Sequence, residues 1–189
     1  MSEAGITRED ALKLVTERMD NQALIKHCLA TESIMRRLAP RFGADPQTWG
    51  IAGLLHDLDY QETKDAPERH GLVTEEILTE RGVDPGIIDA IKSHNAEKLG
   101  MERSLPFHYA ITCAENITGL IVATALVMPD KKISQVKPKS VLKRMKDKAF
   151  ARSVDRDDIR LCEEIDIPLA EFVELSLDAM NEISGELGL

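Results

Sequence analysis

Hydrophobic residues recur along this chain at spacings of three and four. No stretch alternates apolar with polar over the length of a strand, so the pattern predicts helices throughout. Thr7-Arg8-Glu9-Asp10 reads as a helix start, a threonine cap with an acid three residues on, and leads to Leu12, Val15 and Met19. Asn21 caps a second helix on which Leu24, His27, Cys28, Thr31, Ile34, Met35 and Leu38 form one stripe of period 3.6. A turn from Pro40 to Pro46 precedes a third helix, which runs through Trp49, Ile51 and Leu54-Leu55 to His56.

The loop after Asp57 is polar, and Pro67 is expected to open the next helix, with His70, Val73 and Ile77 on one face. Beyond the break at Gly82-Val83-Asp84-Pro85, Ile87, Ile88, Ile91 and His94 follow at helical spacing. The longest apolar stretch, Leu105 to Met128, is hydrophobic all round and is predicted to be a buried central helix. Glu115 lies in its middle, where a charged carboxylate needs a partner or an ion, and Gly119 would admit the close approach of another backbone. Past Pro129 come a basic segment, an Asp155-capped helix with Ile159 and Cys162, and a last helix from near Pro168 with an apolar docking face. The fold class is therefore all-α. Residues 1–20 form an N-terminal helix packed on the domain, residues 21–128 the helical core, and residues 129–189 a C-terminal extension of the same domain.

The chain has 189 residues, enough to bury a real core, and with only 4% aromatic residues that core must be aliphatic. No run approaches 18 consecutive apolar residues, and Met1-Ser2-Glu3-Ala4-Gly5 lacks the features of a signal peptide. Cys28, Cys113 and Cys162 lack CxxC spacing and read as small core residues. A cytoplasmic protein with no membrane partner is expected. The formal charge of −9 is uneven: nine Lys or Arg against one acid give residues 131–152 a net charge of +8, leaving −17 for the rest. That distribution does not fit general nucleic-acid binding and fits a local phosphate-binding role better, for which Lys139, Lys143, Arg144 and Lys146 are the candidates.

The candidate chemistry centres on Leu54-Leu55-His56-Asp57-Leu58-Asp59-Tyr60, where an imidazole and a carboxylate stand side by side. An imidazole suits a borderline metal and a carboxylate a hard one, so the pair can bind one ion from two sides. His27, His70 and His94 fall on apolar backgrounds at helical spacing. Burying several neutral imidazoles without a common purpose would leave many ring nitrogens to satisfy. The candidate ligands of one centre are thus His27, His56, Asp57, His70, His94 and Glu115. Asp59 is a candidate water-orienting group beside Asp57, with the capping of local amides as the alternative. His108 reads as a polar residue at a helix start.

A histidine, then an adjacent His-Asp, then further histidines and a distant acid resembles the HD-domain superfamily of metal-dependent phosphohydrolases. His27, His56 and Asp57 match the first parts of the pattern. His70 and His94 fall where two-metal members carry extra histidines, and Glu115 stands where the final Asp would be. The motifs cover about residues 20–128. The remainder, with Lys139-Ser140-Val141-Leu142-Lys143-Arg144, looks like a small bacterial and archaeal HD branch known only as predicted hydrolases. The resemblance implies one or two divalent ions (Mn, Fe, Mg, Ni or Zn). It also implies hydrolysis of a nucleotide or other small phosphate ester, with Asp57 and Asp59 as the catalytic acids. A small phosphorylated substrate is the expected partner, and a homodimer is left open. Two alternatives stand beside it: a two-iron oxygenase on the same ligands, and a binding or signalling module that has lost catalysis. The Gly-Tyr-Pro signature of cyclic-dinucleotide phosphodiesterases is missing, and the length leaves no room for a fused nucleotidyltransferase or synthetase domain.

Overall fold

The caps read from the sequence start the helices. Thr7 accepts the Asp10 amide ahead of α1 (Arg8–Arg18), and Asn21 accepts the Ala23 amide ahead of α2 (Gln22–Leu38). Asp45 caps α3 (Pro46–Leu55), whose first position is a proline with no amide to satisfy. After α4 (Tyr60–Thr63) and α5 (Leu72–Glu80), the same Asp-Pro device opens α6 (Pro85–Ser93). There follow α7 (Ala96–Leu99), α8 (Pro106–Leu126), α9 (Pro138–Met145), α10 (Arg156–Arg160), α11 (Leu169–Glu182) and α12 (Ser184–Leu187). This computed structural model describes residues 4–189, and among them there is no strand. The fold is all-α.

Helix α8 is the axis of the bundle. It packs against α2, α3, α6, α9, α10 and α11, and Ile111, Ala114, Ile117, Leu120 and Ile121 are fully buried along it. By length and composition α8 could cross a membrane, but 61% of its most apolar window is buried by other helices, the position of a core helix. Gly119 on this helix faces the side chain of Val154, 2.9 Å from where a Cβ would sit, so it admits a side chain where a backbone was expected.

The closest helix pair is α2 with α3. A Cβ on Gly53 would lie 2.9 Å from the Thr31 carbonyl oxygen and 3.0 Å from Glu32 Cα, so only glycine lets the two backbones meet there. That approach brings the C-terminal end of α3 beside the middle of α2. Glu32, buried at the same crossing, is gripped by both Arg8 Nε (2.6 Å) and Arg8 Nη2 (2.9 Å), which pairs its charge. The core is aliphatic as the composition requires. Its main aromatic feature is Trp49 between the rings of Phe42 (5.3 Å) and Phe107 (4.7 Å). All three cysteines are buried and unpaired.

One helix start differs from expectation. Pro67 opens only a single 3-10 turn, Pro67–Arg69, and α5 begins at Leu72, so His70 is carried by a turn and not by a helix face. Gly71, at φ +91°, supplies the left-handed residue that breaks the chain there.

Candidate metal centre

Four elements deliver an imidazole to one place. His27 projects from the middle of α2, His56 ends α3, His70 sits in the turn before α5, and His94 ends α6. In each ring Nδ1 lies against an oxygen that must accept. Those of His56 and His94 donate to the carbonyls of Gly53 (2.9 Å) and Ile91. That of His70 donates to Asp59 Oδ1 at 2.7 Å. That of His27 donates to the Thr118 hydroxyl at 2.7 Å, which passes its own proton to the Glu115 carbonyl at 2.7 Å. The acceptors place a proton on every Nδ1, so in each neutral ring Nε2 presents a lone pair.

The lone pairs face each other. His27 Nε2 stands 3.1 Å from His56 Nε2, and His70 Nε2 stands 2.8 Å from His94 Nε2. Two acceptors so close repel unless a cation or a proton lies between them. Nitrogens bound at about 2.0–2.1 Å to one ion stand about 2.9–3.4 Å apart, depending on the bond angle. The 3.1 Å spacing of His27 and His56 falls in that range, and the 2.8 Å spacing of His70 and His94, just below it, also suits an N–H donated from one ring to the other. Asp57 joins the two pairs: its Oδ2 lies 3.6 Å from both His27 and His56 Nε2, and its Oδ1 lies 3.2 and 3.8 Å from those of His70 and His94. His27, His56 and Asp57 make one group of three that could hold a metal ion, and Asp57, His70 and His94 make another.

A family model described as the HD domain matches residues 24–154, more than half of the chain. The chain belongs to the HD-domain family. It is also similar to ribonuclease Y of Opitutus terrae, 29% identical over 77 residues; that is 41% of this chain and 15% of the relative's own length. No solved structure matches the chain. The family brings with it metal-dependent phosphohydrolases as a superfamily, and the His/Asp cluster of this HD domain is suited to a divalent metal.

Electrostatics separate the histidines. Burial, then the neighbouring His56, lowers His27 to about 4, and burial with His56 and His70 lowers His94 to about 3, so both are neutral near pH 7. Burial pushes His70 down as well, but the hydrogen bonds and charges of Asp57 and Asp59 outweigh it and raise it to about 9. Burial would raise the Asp57 carboxyl, yet His56 and the hydrogen-bonded His70 hold it well below the usual carboxylate range. A proton on His70 thus takes the place of a cation in the metal-free protein. A folded-state value above the unfolded 6.5 contributes stability below the unfolded value and loses it as pH rises through about 9. Urea unfolding of chelator-treated protein should therefore show a midpoint that falls between pH 7 and 10. His70→Asn should flatten that fall, and an equal fall in the variant would assign it elsewhere.

Asp59 holds the His70 ring from behind and does not face the cluster of Nε2 atoms. It is buried, with Oδ1 accepting from His70 Nδ1 and Oδ2 accepting from the Gly71 and Thr74 amides, both at 2.9 Å. A carboxylate behind a ligating imidazole orients the ring and raises its basicity, typically worth about 10–100-fold in metal affinity. Asp59→Asn should weaken the ion at His70 and His94 by about that factor and leave the ion at His27 and His56 in place. Metal analysis by equilibrium dialysis reads this directly, and equal loss at both positions would contradict it.

Glu115 lines the same cavity but lies outside both ligand groups, its Oε2 3.9 Å from His27 Nε2. Burial, with the charges of Asp57 and Asp158, raises its carboxyl well above the normal range, and its Oε1 accepts from the Asn116 side-chain amide. The cavity, of about 390 Å³, is completed by Leu24, Tyr60 and Asn95. No lysine or arginine lines it. Lys139, Lys143 and Lys146 are exposed on or just after α9, and Arg144 is occupied by the ring of Phe150 (4.1 Å) and by Asp147 (3.5 Å). His108 is buried at the start of α8, paired with Asp89 of α6 at 3.0 Å.

Several contributors carry no histidine or acid and so escape a ligand search. Gly53 and Thr118 accept the ring protons, and Asn95 donates to the carbonyls of Pro67 (2.7 Å) and His70 (3.0 Å), pinning the His70 turn. Tyr60 packs edge-on against the His70 ring at 5.6 Å. The available signals were adjacency, Asn95 after His94 and Tyr60 after Asp59, and the helical step from Glu115 to Thr118.

Proposed function

We propose that this HD domain is a two-metal phosphohydrolase acting on a small phosphate ester. The observation that carries the reading is the facing of four Nε2 atoms, in two close pairs, across the carboxylate of Asp57. The residues to hold the ions are His27, His56 and Asp57 for one and Asp57, His70 and His94 for the other, with Glu115 assigned to the first as its outer ligand. Ions held there supply water ionisation near neutral pH and positive charge for the phosphoryl oxygens. A nitrogen-rich set of this kind favours manganese, iron, nickel or zinc over magnesium.

The protein's own residues do the positioning. Asp59 fixes the ring of His70, the Gly53 carbonyl fixes His56, and Thr118 fixes His27, so the ligands are set before substrate arrives. With no cationic side chain on the cavity wall, the ions are the main counter-charge for a phosphate. A second reading is a two-iron oxygenase on these residues, since four imidazoles and a carboxylate suit iron as well.

The test is metal analysis of the purified protein, then phosphate release from a panel of monoesters with manganese, iron or magnesium. Release that needs manganese or iron and stops with a chelator is expected. No release with any metal would overturn the proposal, and an absorption band of an oxo-bridged iron pair would move the assignment to the oxygenase.

A further inference from the structure

We propose that the substrate is a phosphate ester with a hydrocarbon body, and that this body lies in a second cavity beside the metal centre. The inference rests on the hydrolytic reading above and narrows its substrate class.

The second cavity, of about 370 Å³, opens between α2, α8 and the turn after α12. That is within the range of small-molecule sites, about 300–1,000 Å³. Its aliphatic walls are Ala30, Val122, Leu126, Leu187 and Leu189. His27 belongs to this cavity and to the metal cavity alike, so the two share a wall that is itself a ligand of the centre. Leu126 is 50% exposed at the rim and Val127, next to it, is 57% exposed, which leaves apolar surface at the entrance.

The polar side chains here are few, and two of them are already spent. Thr118 accepts from His27 and donates to the Glu115 carbonyl, and His27 Nδ1 is used in the first of those bonds. A nucleobase placed in this cavity would leave ring nitrogens and an exocyclic group without partners, a cost that selects against it. A hydrocarbon body has no such groups to strand. Lys26 is the remaining donor. Among the described residues it has no hydrogen-bond or carboxylate partner, and it is the only lysine or arginine that lines either cavity. It lines the aliphatic cavity alone, with its Nζ beside Gly188, and in this proposal it meets an anionic oxygen of the ligand from that side. In the reaction, a water oxygen bonds to phosphorus, the phosphorus–oxygen bond to the alkyl group breaks, and the departing oxygen takes up a proton. The products are an aliphatic alcohol and inorganic phosphate.

Titration of n-alkyl phosphonates, methyl to hexyl, into the manganese-loaded protein tests this without turnover. Affinity should rise by about fourfold per methylene, the value of a buried CH₂. Val122→Trp, which fills the cavity, should flatten the series. Leu126→Asp, at a half-exposed position that the fold tolerates, should flatten it too by charging the rim. Lys26→Met should weaken every member about tenfold without changing the slope, the loss of a charged hydrogen bond. A flat series in the parent protein would overturn the proposal, as would a slope that survives both cavity variants. So would tighter binding of a nucleoside monophosphate than of hexyl phosphonate. Phosphate release with a flat series would sink the cavity alone. A steep series without phosphate release from any ester would sink the hydrolytic reading and leave the cavity as a binding site.

Discussion

Asp57→Ala should empty both ion positions in one step. Asp57 is the only residue common to the two ligand groups, with one carboxylate oxygen turned to each. Losing a residue that merely orients a ligand typically costs about 10–100-fold, so losing a shared ligand should lower activity by more than about a hundredfold. Folding should suffer as well. The carboxylate is the buried partner of His70, and removing one member of such a pair typically costs about 3–5 kcal/mol, so the metal-free variant should unfold at a lower urea concentration than the parent. By contrast, His94→Ala should cost one ion and spare the other. Metal content and urea unfolding of both variants check the argument, and two ions retained by Asp57→Ala would show that the carboxylate is not shared.

Gly53→Val should disable the centre from outside it. The new side chain would begin 2.9 Å from the Thr31 carbonyl oxygen and 3.0 Å from the Glu32 backbone, and neither can swing away as a flexible side chain could. Overpacking of this kind costs about 1–3 kcal/mol. For a chain of this size that is a fall in Tm of about 2–12 °C. The parting of α2 from α3 also separates His27 from His56, whose Nε2 atoms stand 3.1 Å apart, so metal affinity should fall with stability. Gly185→Ala is the control: nothing lies within 4 Å of its added carbon, and it should leave both properties as they are. A Gly53→Val protein with parent-like metal affinity would mean that the crossing of α2 and α3 does not set the His27–His56 spacing.

The helices were legible because their causes are local. Thr7, Asn21, Asp45 and Asp155 each cap a helix within three residues of themselves, and the stripe on α2 and the apolar run of α8 are repeats of one backbone period. His70 was placed on a helix because Pro67 is a common helix opener. The left-handed Gly71 and the two amides it helps aim at Asp59 are a loop geometry that no periodicity reports. The basic segment stands out in the sequence as a charge run, yet its residues stay off the wall of the metal cavity, while Lys26, an isolated lysine in sequence, lines the aliphatic cavity beside it.

Residue types and their spacing settled that this chain makes helices around an aliphatic core, and that it carries four imidazoles and a His-Asp pair on apolar backgrounds. These follow from backbone hydrogen bonding between near neighbours and from the cost of burying polar rings alone. Only the tertiary structure decided that Asp57 stands between two pairs of Nε2 atoms, that Asp59 turns away to hold His70, and that an aliphatic cavity backs onto His27. Those arrangements depend on how distant helices cross, and a crossing is set by contacts such as Gly53 against Thr31, between residues that no local rule relates.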